Sequence, residues 1–212
     1  MDLNIKKKII QEGIIYLEFE NQIELTSTLL RFQEHYECPN FAGKIFTLEE
    51  FKKWYADDRG SFSYYTDWNG FNFPSDILTA FNKKMFDPLS EAEKQVMSIL
   101  KEHTGKFYVI GTHKKASHKT FDHEIAHALF YLHDDYKKEV LNIISQYKTD
   151  ELRIELKEMG YAKHVMDDEV HAYGLTGSKK LKFKTPAEMK KQLEQLFKRF
   201  ANPQRAKSFA TH

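Results

Sequence analysis

The 212-residue chain has a single cysteine, Cys38, so no disulfide can form within it. That excludes a small disulfide-stapled scaffold and fits a reducing compartment. With only 5 prolines and 9 glycines, it is neither collagen-like nor low-complexity, and it shows no internal repeat. No apolar run approaches the roughly 20 residues of a membrane helix. The lysines at 6–8 are followed by no long apolar stretch, so no signal peptide is expected and the expected location is cytoplasmic. A net charge of +1 gives no strong field of one sign, so neither nucleic acid nor an acidic membrane surface is an expected partner. The lysine-rich C-terminal helix reads as a solvated face. Cys38 reads as a buried or half-buried thiol. It lacks the surrounding motif that a deformylase-type cysteine ligand would need.

What is present suffices for a packed core. Hydrophobic residues make up 41% of the chain and charged residues 30%, ordinary proportions for a globular domain. The 17 Phe and 11 Tyr fill a core or line a groove for apolar side chains.

Residues 13–20 read as a strand and 24–36 as a helix. Thr47 and Ser90 each open a capping box, starting helices that run to about Ala56 and His103. Ser75 caps a helix to about Lys84. Residues 59–74 mix aromatics with turn residues such as Asn69-Gly70, and read either as a groove-lining hairpin or as a loop packed over the core. Residues 106–111 read as a second strand. His113 and His118 fall at a spacing that suits neither helix nor strand and are taken as loop residues. Helices follow over 136–147 and 150–159, the latter stopped by Gly160, and then over 161–173, closed by Gly174 and Gly177. Lys179–Lys184 reads as a short strand or extended loop. Thr185-Pro186 begins a last helix to about Phe200, with a frayed tail from Asn202. The expected division is an N-terminal α+β part over 1–117 and a helical part over 118–212, or one continuous domain.

The most informative stretch is Phe121-Asp122-His123-Glu124-Ile125-Ala126-His127-Ala128-Leu129-Phe130-Tyr131-Leu132. A shuffled chain of this composition would contain His-Glu-x-x-His roughly 0.04 times. His123 and His127, four apart on a helix, project from one face and can share one zinc ion, while Glu124 can reach a water there as a general base. The flanking residues are apolar on nearly all sides, so the helix is expected to be buried and its polar trio to need partners.

This segment resembles the active-site helix of the zincin metallopeptidases. The resemblance covers about a dozen residues. It implies a mostly helical α+β fold with a small sheet beside that helix, a Zn2+ cofactor, hydrolysis of a peptide or protein substrate, and Glu124 as catalytic base. In zincins the strand before the active helix often forms the cleft rim, which assigns that role to 106–111. Two alternatives are a non-catalytic binding protein with a zincin-like fold and a zinc hydrolase of a non-peptide amide.

Two candidates compete for the third ligand. His133 has metzincin spacing, but Phe130 stands where that branch needs glycine for a sharp turn. If the helix instead continues, His133 lies roughly 120° around it from His127. The other candidate is Glu169, in Asp167-Asp168-Glu169-Val170-His171-Ala172-Tyr173. Ala172 and Tyr173 share its helix side, and the alanine leaves room for a neighbouring helix. This arrangement looks like the gluzincin branch, although Asp168 stands where that branch has asparagine and Tyr173 where it has aspartate. Asp168 and His164 remain possible ligands. For stabilising an oxyanion the candidates are Tyr173 and His171, then Tyr161 and His164.

Overall fold

A mixed four-stranded sheet separates two helical layers in the computed structural model, which describes residues 3–201. The tail expected from Asn202 onward lies outside the described residues. In chain order the elements are β1 (Lys6–Gln11), β2 (Ile14–Phe19), α1 (Gln22–Glu37), α2 (Leu48–Arg59), α3 (Tyr64–Asp67) and β3 (Gly70–Pro74). A 3-10 turn (Ser75–Ile77) then leads into α4 (Leu78–Asn82), followed by α5 (Glu91–Leu100), β4 (Tyr108–His113), α6 (His118–Leu132), α7 (Asp134–Ser145) and α8 (Asp150–Met159). A second 3-10 turn (Lys163–Val165), α9 (Met166–Thr176) and α10 (Ala187–Phe200) complete the order. The architecture is α+β, mostly helical with a small sheet, as expected. No helix among the described residues is long and apolar enough to cross a membrane.

Strand order is β1-β2-β4-β3, with β2 and β4 parallel and the two outer pairs antiparallel. The two-residue side-chain period of β2 feeds both layers. Ile14 and Tyr16 join the core formed with α6, α7, α9 and α10, whereas Ile15, Leu17 and Phe19 join the core beneath α1, α2 and α5. β1 was not anticipated. Its sequence Lys-Lys-Lys-Ile-Ile-Gln pairs only with β2 and keeps its lysines exposed, and edge lysines discourage pairing with another sheet.

Four further expectations need correction. The strand expected at the cleft rim is internal: β4 is paired on both sides, by β2 and by β3. The free edge beside α6 belongs to β3, which was hidden within the irregular-looking 59–74 stretch. His113 is the last residue of β4 and His118 the first of α6, so neither is a loop residue. The capping boxes at Thr47 and Ser90 form as expected, but Ser75 opens a 3-10 turn before the short α4, and α5 ends at Leu100. α9 begins only at Met166 and runs through Gly174 to Thr176. Gly174 is retained inside the helix because α10 presses there: a Cβ would lie 3.1 Å from Leu193 Cδ1.

The N-terminal layer is tied by one buried ion pair. Arg31 of α1 donates from Nε and Nη2 to both carboxylate oxygens of Glu93 in α5, at 2.6 and 2.5 Å, and from Nη1 to Phe86 O at 3.1 Å. Both side chains are under 10% exposed. Removing one partner strands a charge in the core. Arg31→Met or Glu93→Gln is expected to cost about 3–5 kcal/mol, read as a lower urea midpoint at unchanged m-value.

Candidate metal centre

The centre forms where α6 crosses α9. Ser117 caps α6 by accepting from Thr120 N at 3.2 Å. The helix then runs unbroken through Phe130 to Leu132. α6 packs against α9, and Ala126, Ala128 and Ala172 of these helices are fully buried in the shared core. Asp168 and Glu169 occupy the first turn of α9, where the positive end of the helix dipole favours carboxylates.

His123, His127 and Glu169 each direct one ligand atom into a common space, all within 4.8 Å of one another. The Nε2 atoms of the two histidines are 3.2 Å apart. His123 Nε2 lies 3.8 Å from Glu169 Oε2, and His127 Nε2 lies 3.6 Å from Glu169 Oε1. A tetrahedral zinc ion with bonds near 2.0–2.1 Å keeps its donors about 3.3 Å apart, so these separations fit one ion.

Hydrogen bonding fixes the tautomers. His123 Nδ1 meets Thr176 Oγ1 at 3.3 Å, and that hydroxyl spends its own proton on Ala172 O at 2.8 Å. Nδ1 of His123 must therefore be the donor. His127 Nδ1 lies 3.0 Å from Asp168 Oδ1. Asp168 Oδ1 forms no hydrogen bond among the described residues, but the nearby carboxylate favours the proton on Nδ1. Both Nε2 lone pairs consequently face each other. Glu169 Oε2, buried beside them, has no hydrogen-bond partner among the described residues. Two imidazole nitrogens and a carboxylate converging on one buried space fit a cation, and the nitrogen-and-oxygen donor set fits zinc.

The protonation preferences agree. Burial holds His123 well below the usual imidazole range and lowers His127 to about 3, so both rings are neutral. Burial, together with the neighbouring Glu37, raises the Glu169 carboxyl. Burial also raises Glu124 to about 8, against the pull of its hydrogen bond from Asn72. A divalent cation reverses this for the carboxylates, because an adjacent positive charge favours their ionised form.

The other predicted residues are placed as follows. His133 ends α6 and lies near Gln11 and the Phe200 ring, outside the ligand group. Because Phe130 stays helical, no turn brings His133 back. His164 contacts Tyr36 O at 3.0 Å on the surface. Asp168 serves His127 rather than joining the ligand group. His171 is fully buried, its Nε2 2.9 Å from Tyr136 Oη and its ring stacked on Phe130. It faces the core rather than the cleft, with its Nδ1 3.7 Å from Asp168 Oδ1. Tyr173 does line the cleft, its ring 4.6 Å from that of His123 and its hydroxyl 2.9 Å from that of Tyr161.

A cleft of about 860 Å³ runs past the centre. Glu34, Glu37 and Cys38 of the α1 end line one wall, the 67–72 segment another, and Lys179, Lys180 and Lys184 the rim. Burial raises Glu34 to about 7 and the Cys38 thiol to about 12, and Cys38 lies outside the ligand group. Lys180 reaches across to Asp67 O at 3.3 Å and lies over the Trp68 ring at 5.1 Å. Both readings of the aromatic stretch hold in part: Tyr64, Phe71 and Phe73 pack in the core, while Trp68, Asn69 and Asn72 line the cleft. Sequence reading missed Asn72, whose Nδ2 donates to Glu124 Oε2 at 2.7 Å.

Two measurements follow from this geometry. Titration with Zn2+ is expected to give one tight site per chain, lost in Glu169→Ala, kept in His133→Ala, and weakened about 10–100-fold in Asp168→Asn. Imidazole 1H–15N spectra of the metal-free protein at about pH 5.5 are expected to show His123 and His127 as neutral Nδ1–H tautomers; protonated rings would contradict the hydrogen-bond assignment.

No protein-family model matches the chain, and no curated protein or solved structure matches it either, so the site is read from its own geometry.

Proposed function

We propose that the chain is a zinc-dependent peptidase of the zincin type, with a gluzincin-like ligand set of His123, His127 and Glu169. The observation that carries this reading is the convergence of two histidines from one helix and a glutamate from a later one, beside a second buried glutamate, Glu124, in an extended cleft. Zinc bound there would supply Lewis acidity, polarising a carbonyl and lowering the pKa of a water.

The protein's own groups do the rest. Glu124 accepts the proton of the attacking water and returns it to the leaving amine. The Tyr173 hydroxyl, paired with that of Tyr161, is the donor available to an oxyanion on the α9 side. Peptide rather than small-amide substrate is favoured by the open cleft and by β3 at its edge. Gln33 Oε1 accepts from Asn72 N at 2.6 Å, so this N–H points away from β4. Backbone groups of every second residue in an antiparallel strand share a direction, which leaves Gly70 as the residue whose N–H and C=O can meet a substrate backbone.

The binding-protein alternative would be favoured by a closed four-ligand site. His133 and His164, the side chains expected to close it, sit elsewhere, which supports an open position.

Glu124→Gln is expected to lower kcat about 10²–10⁴-fold with zinc still bound. Tyr173→Phe is expected to lower it about 10–100-fold, a loss typical of a weakened oxyanion donor. Both are read against a mixed peptide library with zinc-loaded protein; undiminished turnover in Glu124→Gln would remove it as the base.

A further inference from the structure

Glu124 is a long side chain with three rotatable bonds, and helix geometry alone does not fix its carboxylate. β3 does. Gly70 and Asn72 are two residues apart on that strand and present the same face to α6, while Phe71 and Phe73 present the other to the core. Asn72 is 5% exposed, and its Nδ2 donates to Glu124 Oε2 at 2.7 Å. The amide orientation is set by its two partners. The hydroxyl of Tyr108, itself fully buried on β4, donates to Asn72 Oδ1, and this turns Nδ2 towards the glutamate. The backbone N–H of Asn72 is anchored separately, on Gln33 Oε1 at 2.6 Å. On the other side of the carboxylate, a Cβ at Gly70 would stand 2.1 Å from Glu124 Oε1 and 2.8 Å from Cδ. The strand backbone therefore lies directly against the carboxylate, in space that only glycine leaves.

We infer that Asn72, oriented by Tyr108, is a positioning residue that holds the Glu124 carboxylate through Oε2, while Oε1, which fits beside Gly70 only because that residue has no Cβ, is left to exchange the proton. This deepens the proposed function and rests on its reading of Glu124 as the general base. The donor matters chemically as well as sterically. A charge-assisted hydrogen bond to one carboxylate oxygen is short and directional, and proton transfer is sensitive to misplacement by a fraction of an ångström. Asparagine supplies an N–H there, whereas aspartate, of the same shape, would oppose a second acceptor to the carboxylate. The role differs from packing, because the apolar cores on both faces of the sheet are complete without this amide.

The test compares the zinc-loaded parent with Asn72→Ala, Asn72→Asp and Gly70→Ala. Bound zinc per chain, thermal midpoint, kcat and KM are measured, and crystal structures of the parent and Asn72→Ala are determined. The expected result is parent-like zinc content and a folded protein in all three, with kcat down about 10–100-fold, KM within about two-fold, and the Glu124 carboxylate displaced in the Asn72→Ala crystal. The Asp variant, which keeps the shape, guards against loss of fold in the Ala variant. The inference is overturned if the carboxylate stays within about 0.5 Å of its parent position in Asn72→Ala, or if kcat is unchanged in both Asn72 variants. If the parent hydrolyses no peptide, the general-base reading fails, and the crystallographic comparison by itself still decides whether Asn72 positions Glu124.

Discussion

Polar atoms brought out of water at the crossing of α6 and α9 set the conditions that the surrounding structure meets. Burying an imidazole or carboxylate without partners is costly, and three such groups point at one another here. Asp168 and the Thr176–Ala172 pair occupy the Nδ1 side of each histidine, so the Nε2 atoms and Glu169 have only each other. That arrangement becomes favourable when a cation joins it. The scaffold around it holds the elements close: Gly174 lies beneath α10, and at the αL turn of Gly160 glycine tolerates φ 104° and ends α8 before the chain turns towards α9.

A neighbouring side of α6, the one facing β3, carries a second constraint of the same kind. Glu124 cannot reach bulk water as an exposed side chain would, and it is accommodated by strand rather than helix: an amide from Asn72 and the missing side chain of Gly70. The sheet thus does more than support the core. Its inner strand β4 supplies Tyr108 to orient the amide, and its edge strand β3 brings the amide to the carboxylate. Different elements set the two groups: the helix crossing places the His123, His127 and Glu169 atoms, and the sheet edge holds the Glu124 carboxylate.

Four glutamates line the cleft. Glu34 and Glu37 stand on the α1 wall with Glu124 and Glu169 nearby, and burial raises the affinity of each for a proton. Lys179, Lys180 and Lys184 stand at the rim, whereas Glu124 and Glu169 on the floor are buried. A cation in that floor interacts more strongly than it would at the surface.

Much of this was legible in the sequence. The spacing of His123 and His127 follows from helical period alone, so any helix over that stretch pairs them. Capping chemistry at Thr47 and Ser90, and the glycine stop at Gly160, are local and were read correctly for the same reason. Helix continuity through Phe130 likewise disfavoured His133. Other features depend on what lies opposite in space. β3 was obscured because Gly70, Asn72 and Pro74 are poor strand formers singly, and their value comes from the helix and strand they face. β4 could not be placed inside or at the edge of the sheet from its own residues, since strand order is a property of the whole sheet. His171 and Tyr173 are two positions apart on one helix, yet only the packing of α7 and α6 decided that the first meets Tyr136 and Phe130 in the core and the second meets the cleft. The sequence by itself determined the pair of imidazoles and the elements that carry them, because those are set within a few residues of chain. The tertiary structure decided which distant carboxylate joins them and which amide holds Glu124, because those depend on how closely α9 and β3 approach α6.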